Sequence, residues 1–289
     1  MHRVFDRAHR GLRHASSRRF PRNRARPRSF CSRDTSRPCT RRGGLVMRIR
    51  VRYSKLGKIR FSSHRDMARC WERALRRAEL PVSITEGFSP RPKVHFGLAL
   101  STSHESLGEY LDIDLQEPEG SSVDLGALPE RLTPFLPQGV VVEDVSIIER
   151  SEMSLQEAVT VCTWLIEVPG VSPEQLEIDV RTMLDATTLP VIRERKGKKV
   201  NDDIRSGIID LRVIGATPSD APEQGAVLEA ELATQPRSVR PAELLAAFDP
   251  LRNEGRVRRT HQWIITDGAR REPIPAHATA RAPAQAGAR

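Results

Sequence analysis

From Met47 the chain alternates polar and apolar positions, Arg48-Ile49-Arg50-Val51-Arg52-Tyr53. A period of two is the signature of a strand with one buried face. After Gly57, Lys58-Ile59-Arg60-Phe61 continues the alternation and predicts a further extended piece. Ser63 then occupies an N-cap position with Asp66 three residues on, as in a capping box. Met67, Ala68, Trp71, Ala74, Leu75 and Ala78 recur at helical spacing and predict a helix to about Glu79, stopped by Pro81. The segment Gly87-Phe88-Ser89-Pro90-Arg91-Pro92-Lys93 is too rich in proline for a helix or a central strand. Residues 94–100 and 109–115 read as strands, 125–136 as a helix interrupted by Pro129 and Pro134, and 140–148 as a strand. The order is β-α-β-β-α-β, the split βαβ or ferredoxin-like arrangement.

The second half repeats that order imperfectly. Residues 159–168 read as a strand, and 173–184 as a helix with Ser172 as cap and Pro173 at its first position. Strands at 191–195 and 208–214 flank a basic turn, Lys196-Gly197-Lys198-Lys199. An extra strand at 226–233, a helix at 241–248 and a closing strand at 257–265 complete the half. The expected fold is therefore α+β: two tandem ferredoxin-like (split βαβ) units with antiparallel sheets, 47–150 and 151–268. Disordered tails at 1–46 and 269–289 would flank them. The halves share no evident sequence similarity, so this expectation rests on element order alone.

Charge sharpens the division. The chain has 47 Lys and Arg against 37 Asp and Glu. Residues 1–46 hold 14 Arg and only two acids, Asp6 and Asp34. Within the periodic part, 47–115 has 13 bases to 8 acids, whereas 116–268 has 16 to 26. A basic first third is thus joined to an acidic remainder. The first 46 residues bury too little apolar surface to offset chain entropy. They fit a nucleic-acid-binding arm, a transit peptide, or upstream sequence read from a misplaced start ahead of Met47. No apolar run approaches the roughly 18 residues of a membrane span. Cys31, Cys39, Cys70 and Cys162 form neither a disulfide framework nor a zinc set, which suits a reduced cytoplasmic compartment.

Common enzyme motifs are missing: no phosphate-binding glycine loop, dinucleotide fingerprint, His-Glu-x-x-His or Gly-x-Ser-x-Gly. No three cysteines lie close enough to hold an iron–sulfur cluster, so the chain is not itself an ordinary radical-SAM enzyme. No cofactor or metal is expected. Two prolines hold Arg91 between them, with Lys93 following, so this loop presents its charges from a stiff backbone. Together with Arg65, Arg69, Arg73 and Arg76 on the helix, they would form a groove for an anionic ligand, which His64 and Ser89 would border. Arg48, Arg50 and Arg52 would widen it if their strand face were exposed. His64, at the helix start, would be a general base, a phosphate contact or a simple surface residue. A catalytic role would need a second group from His95 or Asp66. Cys70 and Cys162 read as small buried residues, and Trp71 and Phe88 as core anchors before base-stacking platforms.

The runs Arg60-Phe61-Ser62-Ser63-His64-Arg65-Asp66, Glu72-Arg73-Ala74-Leu75-Arg76-Arg77-Ala78, Gly87 to Lys93, and Glu109-Tyr110-Leu111-Asp112 resemble a bacterial family of unknown function. It is the radical-SAM-linked domain, fused to or encoded beside B12-binding-type radical-SAM proteins. The resemblance spans roughly 47–265 and implies a cytoplasmic partner of a separately encoded radical-SAM protein or an RNA-processing system. It assigns no catalytic residue. The order of the elements is also similar to the tandem ferredoxin-like RNA-processing proteins of CRISPR systems. The leading expectation is a non-catalytic accessory module that binds RNA or another anionic substrate. A small metal-independent ribonuclease using His64, and a protein–protein adaptor, are the alternatives.

Overall fold

The computed structural model describes residues 45–86, 88–117, 123–195 and 197–274. Along the chain lie β1 (Leu45–Lys55), α1 (His64–Arg77), β2 (Val94–Phe96), β3 (Glu105–Glu117), α2 (Leu128–Leu132) and β4 (Val140–Ile148). Next come α3 (Leu155–Ala158), β5 (Val161–Pro169), α4 (Pro173–Asp185), β6 (Pro190–Arg195), β7 (Lys198–Asp203) and β8 (Ile208–Ala216). The chain continues through β9 (Gly225–Ala233), α5 (Pro241–Ala246), β10 (Val257–Thr266) and β11 (Ala269–Arg271). The result is a mixed α+β fold with few helices and one large, mostly antiparallel sheet.

The main path of the sheet runs β4-β1-β3-β10-β5-β9-β8. β2 pairs with β3, β11 pairs with β10, and β6 and β7 form a separate hairpin. The first half thus reads β4-β1-β3-β2 and the second β10-β5-β9-β8. They join because β3 is long, at 13 residues. β2 takes its edge opposite Leu111, Asp112 and Ile113, while β10 pairs in parallel beside Glu105 and Ser106.

Alternation on each strand decides what packs where. Ile49, Val51 and Tyr53 of β1 and Leu111, Ile113 and Leu115 of β3 form one core with Met67, Trp71 and Leu75 of α1. A second core joins Trp164, Ile166 and Val168 of β5 to Leu176, Val180 and Met183 of α4.

Several expectations are corrected. Residues 57–61 form a 3₁₀ turn. Gly57 adopts φ +74, a left-handed conformation that ends the strand, and the Leu56 N–H turns to the carbonyl of Gly139. The strand expected at 94–100 stops at Phe96. The helix expected at 125–136 shortens to α2, followed by a 3₁₀ turn at Thr133–Phe135 containing Pro134. The expected tail from 269 begins with β11 and a strap over the sheet. There the Glu272 carboxylate takes Arg52, the Pro273 carbonyl accepts from Arg50, and Ile274 is buried with Tyr110 and Leu155. β1 starts two residues ahead of Met47. Residues 1–44 and 275–289 of the expected tails, and Lys196 of the basic turn, lie outside the described residues.

Candidate anion-binding surfaces

The start of α1 is fixed by reciprocal bonds. The Ser63 hydroxyl oxygen accepts from the Asp66 N–H at 3.2 Å, and the Asp66 carboxylate accepts from the Ser63 hydroxyl at 2.7 Å and its N–H at 3.4 Å. The Ser63 hydroxyl, then its backbone N–H, hold the Asp66 carboxyl below its ordinary range. At 100° per residue, the buried Met67, Trp71, Ala74 and Leu75 fall on one side of α1. Arg65, Arg69, Arg73 and Arg76 fall opposite, within a sector of about 80°. All four are exposed. Among the described residues their only carboxylate contact is Arg69 with Asp66, 3.6 Å apart with both side chains more than half exposed. A guanidinium N–H of Arg73 donates to Cys70 Sγ at 3.3 Å.

The proline-rich loop leaves the C-terminal end of α1 and returns through β2 to its N-terminal end. It begins as a narrow ladder: Lys93 N–H donates to Ser83 O, and Asp114 N–H to Lys93 O. Arg91 N–H donates to the Thr85 hydroxyl oxygen at 3.0 Å. Ser89 and Arg91 are exposed and Lys93 is half-buried. Among the described residues, no hydrogen bond or ion pair ties these three side chains to α1.

Arg48, Arg50 and Arg52 do not widen a groove. They project from the sheet face opposite α1 and are consumed there by acids. Arg50, fully buried, makes a bidentate pair with Asp112 at 2.8 and 3.0 Å. Arg48 pairs with Asp114 at 2.6 Å, and Arg52 with Glu272 at 2.9 Å. Burial raises the Asp114 carboxyl, but the hydrogen bond and charge of Arg48 outweigh it and leave Asp114 below its ordinary value. His95 belongs to this face too, 3.9 Å from Asp114.

His64 goes elsewhere. Its ring packs edge-on against Phe96 at 5.1 Å and lines a cleft of about 410 Å³ at the junction of the two halves. The other walls come from the segment 98–102, from Cys162 and Trp164 on β5, from Leu232 on β9, and from Thr234 and 238–241 leading into α5. At its base lies Arg259 of β10, which donates to Glu109 at 2.5 and 3.1 Å and to Leu98 O at 3.0 Å, with its guanidinium 5.4 Å from the Trp164 ring centroid. Burial opposes the charge on Arg259, but Glu109 more than restores it, so its pKa lies above the ordinary value. Burial pushes the adjacent Cys162 thiol up to about 11, so it is not a nucleophile at neutral pH. Neither His95 nor Asp66 lines this cleft: His95 lies beside Asp114 on the other sheet face, and the Asp66 carboxylate accepts from the Ser63 hydroxyl in the cap of α1.

Arg240, Ser238, Thr234 and Arg259 escaped the sequence reading. The one available signal was Val257-Arg258-Arg259-Thr260, where a strand alternation places an arginine on the same side as a buried valine.

Residues 48–241 match the family described as uncharacterized protein conserved in bacteria (DUF2344). The match covers more than half of the chain. The chain belongs to this family. The DUF2344 span includes all of α1, the proline-rich loop and the cleft walls from His64 to Pro241, and it stops short of β10 with Arg259. No curated protein matches the chain. Among the described residues, no helix of this DUF2344 protein is long and apolar enough to cross a membrane.

Proposed function

We propose that this DUF2344 chain is a non-catalytic accessory protein of a radical-SAM system that binds RNA along the arginine face of α1. A division among its arginines carries the reading. On the sheet, Arg48, Arg50 and Arg52 each have a carboxylate partner. On α1, Arg73 and Arg76 form no ion pair among the described residues, and Arg65 and Arg69 have only the charge of the exposed Asp66. Like charges at i, i+4 oppose helix formation, as Arg65, Arg69 and Arg73 do along this stripe. A polyanion laid along it relieves the repulsion and releases its own counterions. In this reading Ser89 and Arg91, exposed on the loop between α1 and β2, add a hydroxyl and a guanidinium to the surface, whereas Lys93, opposite Asp114, belongs to the other face of the sheet. The chemistry belongs to a separately encoded radical-SAM protein in the same cytoplasm, with the acidic second half as its docking side. In this reading the strand orders β4-β1-β3-β2 and β10-β5-β9-β8 are two tandem ferredoxin-like units, 47–150 and 151–268.

The test is fluorescence anisotropy with a labelled single-stranded RNA at several salt concentrations. Wild type should lose affinity steeply between about 50 and 200 mM salt, with a log–log slope near −0.7 per phosphate contacted. Arg69→Glu/Arg73→Glu/Arg76→Glu should reduce affinity by at least about ten-fold and flatten the slope by about 2, roughly 0.7 for each of three lost contacts. The same affinity and slope in the triple variant would remove α1 from the interface.

A further inference from the structure

The cleft at the junction of the halves has a chemical bias that the arginine stripe does not explain. Its lining contains no Asp or Glu. It offers the hydroxyls of Ser101, Thr102 and Ser238, with that of Thr234 already donated to the Val159 carbonyl at 2.6 Å, and three basic residues, His64, Arg240 and Arg259, around a wall of leucine, valine and tryptophan. The charge of Arg259 is already met by Glu109 beneath it. Arg240 is different. Its neighbour Glu243 is engaged by the Arg237 guanidinium at 2.9 Å and by the Arg240 backbone N–H at 3.1 Å. The exposed Arg240 guanidinium keeps no carboxylate partner among the described residues. His64, with its ring held on Phe96, likewise has no hydrogen-bond partner there. Trp164, in the same wall, is largely buried and its indole N–H lacks an acceptor. A volume of about 410 Å³ lies within the usual range for small-molecule sites, roughly 300–1,000 Å³.

We propose that this cleft binds a small organic phosphate, with its phosphate group between His64 and Arg240 and its body against Leu98, Leu100, Leu232 and Val239. A fork of guanidinium donors beside an imidazole and several hydroxyls supplies more donors than the two oxygens of a carboxylate can take, and it suits a phosphate. Apolar walls favour a ligand with a carbon body over the inorganic ion. This inference does not depend on RNA binding by α1, since neither Arg240 nor the apolar wall belongs to that stripe.

The full chain is titrated with adenosine monophosphate, uridine monophosphate, ribose 5-phosphate and pyridoxal phosphate, each against its dephosphorylated counterpart, by calorimetry and thermal melting. At least one phosphate should raise the melting temperature and bind about ten-fold or more tightly than its counterpart, a difference of about 1.4 kcal/mol. Arg240→Ala, which removes the phosphate contact, and Ser238→Trp, which fills the exposed rim, should each weaken it by about ten-fold or more. An unchanged melting temperature without ligand shows that each variant folds. Binding by none of the four, equal binding of the dephosphorylated forms, or undiminished affinity in both variants overturns the proposal.

Discussion

Arg50 and Arg73 are both arginines within the basic first third, yet one belongs to the fold and the other faces solvent. Arg50 is fully buried, opposite Asp112 in the register of β1 against β3. Replacing it with alanine strands a buried carboxylate, and breaking such a pair costs about 3–5 kcal/mol. Urea unfolding of Arg50→Ala should show a loss of that order, and Arg50→Met/Asp112→Leu should recover most of it because both charges leave together. If the single variant unfolds at the same urea concentration as wild type, the pair contributes nothing. The sequence held half of this fact. Alternating Arg48, Arg50 and Arg52 predicted a cationic strand face, and Asp112 and Asp114 alternate in the same way on the later strand. What periodicity does not contain is register, the one quantity that sets guanidinium against carboxylate. The α1 arginines were legible for the converse reason: helical spacing alone separates them from Trp71, with no distant strand to consult.

An element can be well written locally and still end where a neighbour dictates. α1 is the first kind. Its cap, its core stripe and its arginine stripe are all local, and its observed span begins and ends within two residues of expectation. Ser63→Ala should cost about 1 kcal/mol, with Ser63→Asp retaining most of the stability, because a side-chain oxygen is what satisfies the first free N–H groups. Chemical unfolding of the two variants checks this, and equal losses would mean that the cap is not the cause. The same cap sets the position of His64 at the cleft, so Ser63→Ala should also blunt any phosphate binding there. The turn at 57–61 is the second kind. Lys58-Ile59-Arg60-Phe61 alternates like a strand, but Gly139, some eighty residues on, takes the Leu56 N–H and the Gly57 N–H goes to Glu105 at 2.9 Å. Those bonds are long-range and leave no mark in local periodicity. The strap at 272–274 was missed for the same reason, since its anchors are Arg50 and Arg52 on β1.

The whole molecule depends on a junction that element order did not reveal: β10 set in parallel against the start of β3. Glu105 is its fastener. One carboxylate oxygen takes the Gly57 N–H, and the other takes Arg258 of β10 at 2.7 and 3.1 Å. Burial raises this carboxyl, but Arg258 and the Gly57 N–H lower it further, leaving it under its ordinary value of 4.5. Asp114, which ties β3 to β1 through Arg48, sits below 3.8 in the same way. Both groups have lower pKa values folded than unfolded, so the unfolded chain binds more protons as acid is added. Their stabilising effect is therefore complete above the ordinary values and is lost as pH falls through the depressed ones. The urea midpoint should be insensitive to these two groups from neutrality to about pH 5 and should decline below about 4.5. Glu105→Gln tests which carboxylate is responsible: it should lower stability at neutral pH, by loosening β10 and the turn at 57–61, and make the acid decline shallower. A wild-type midpoint that holds steady to pH 3, or an acid profile unchanged by Glu105→Gln, would show that the two halves are held together by apolar packing and ladder hydrogen bonds without help from this charge.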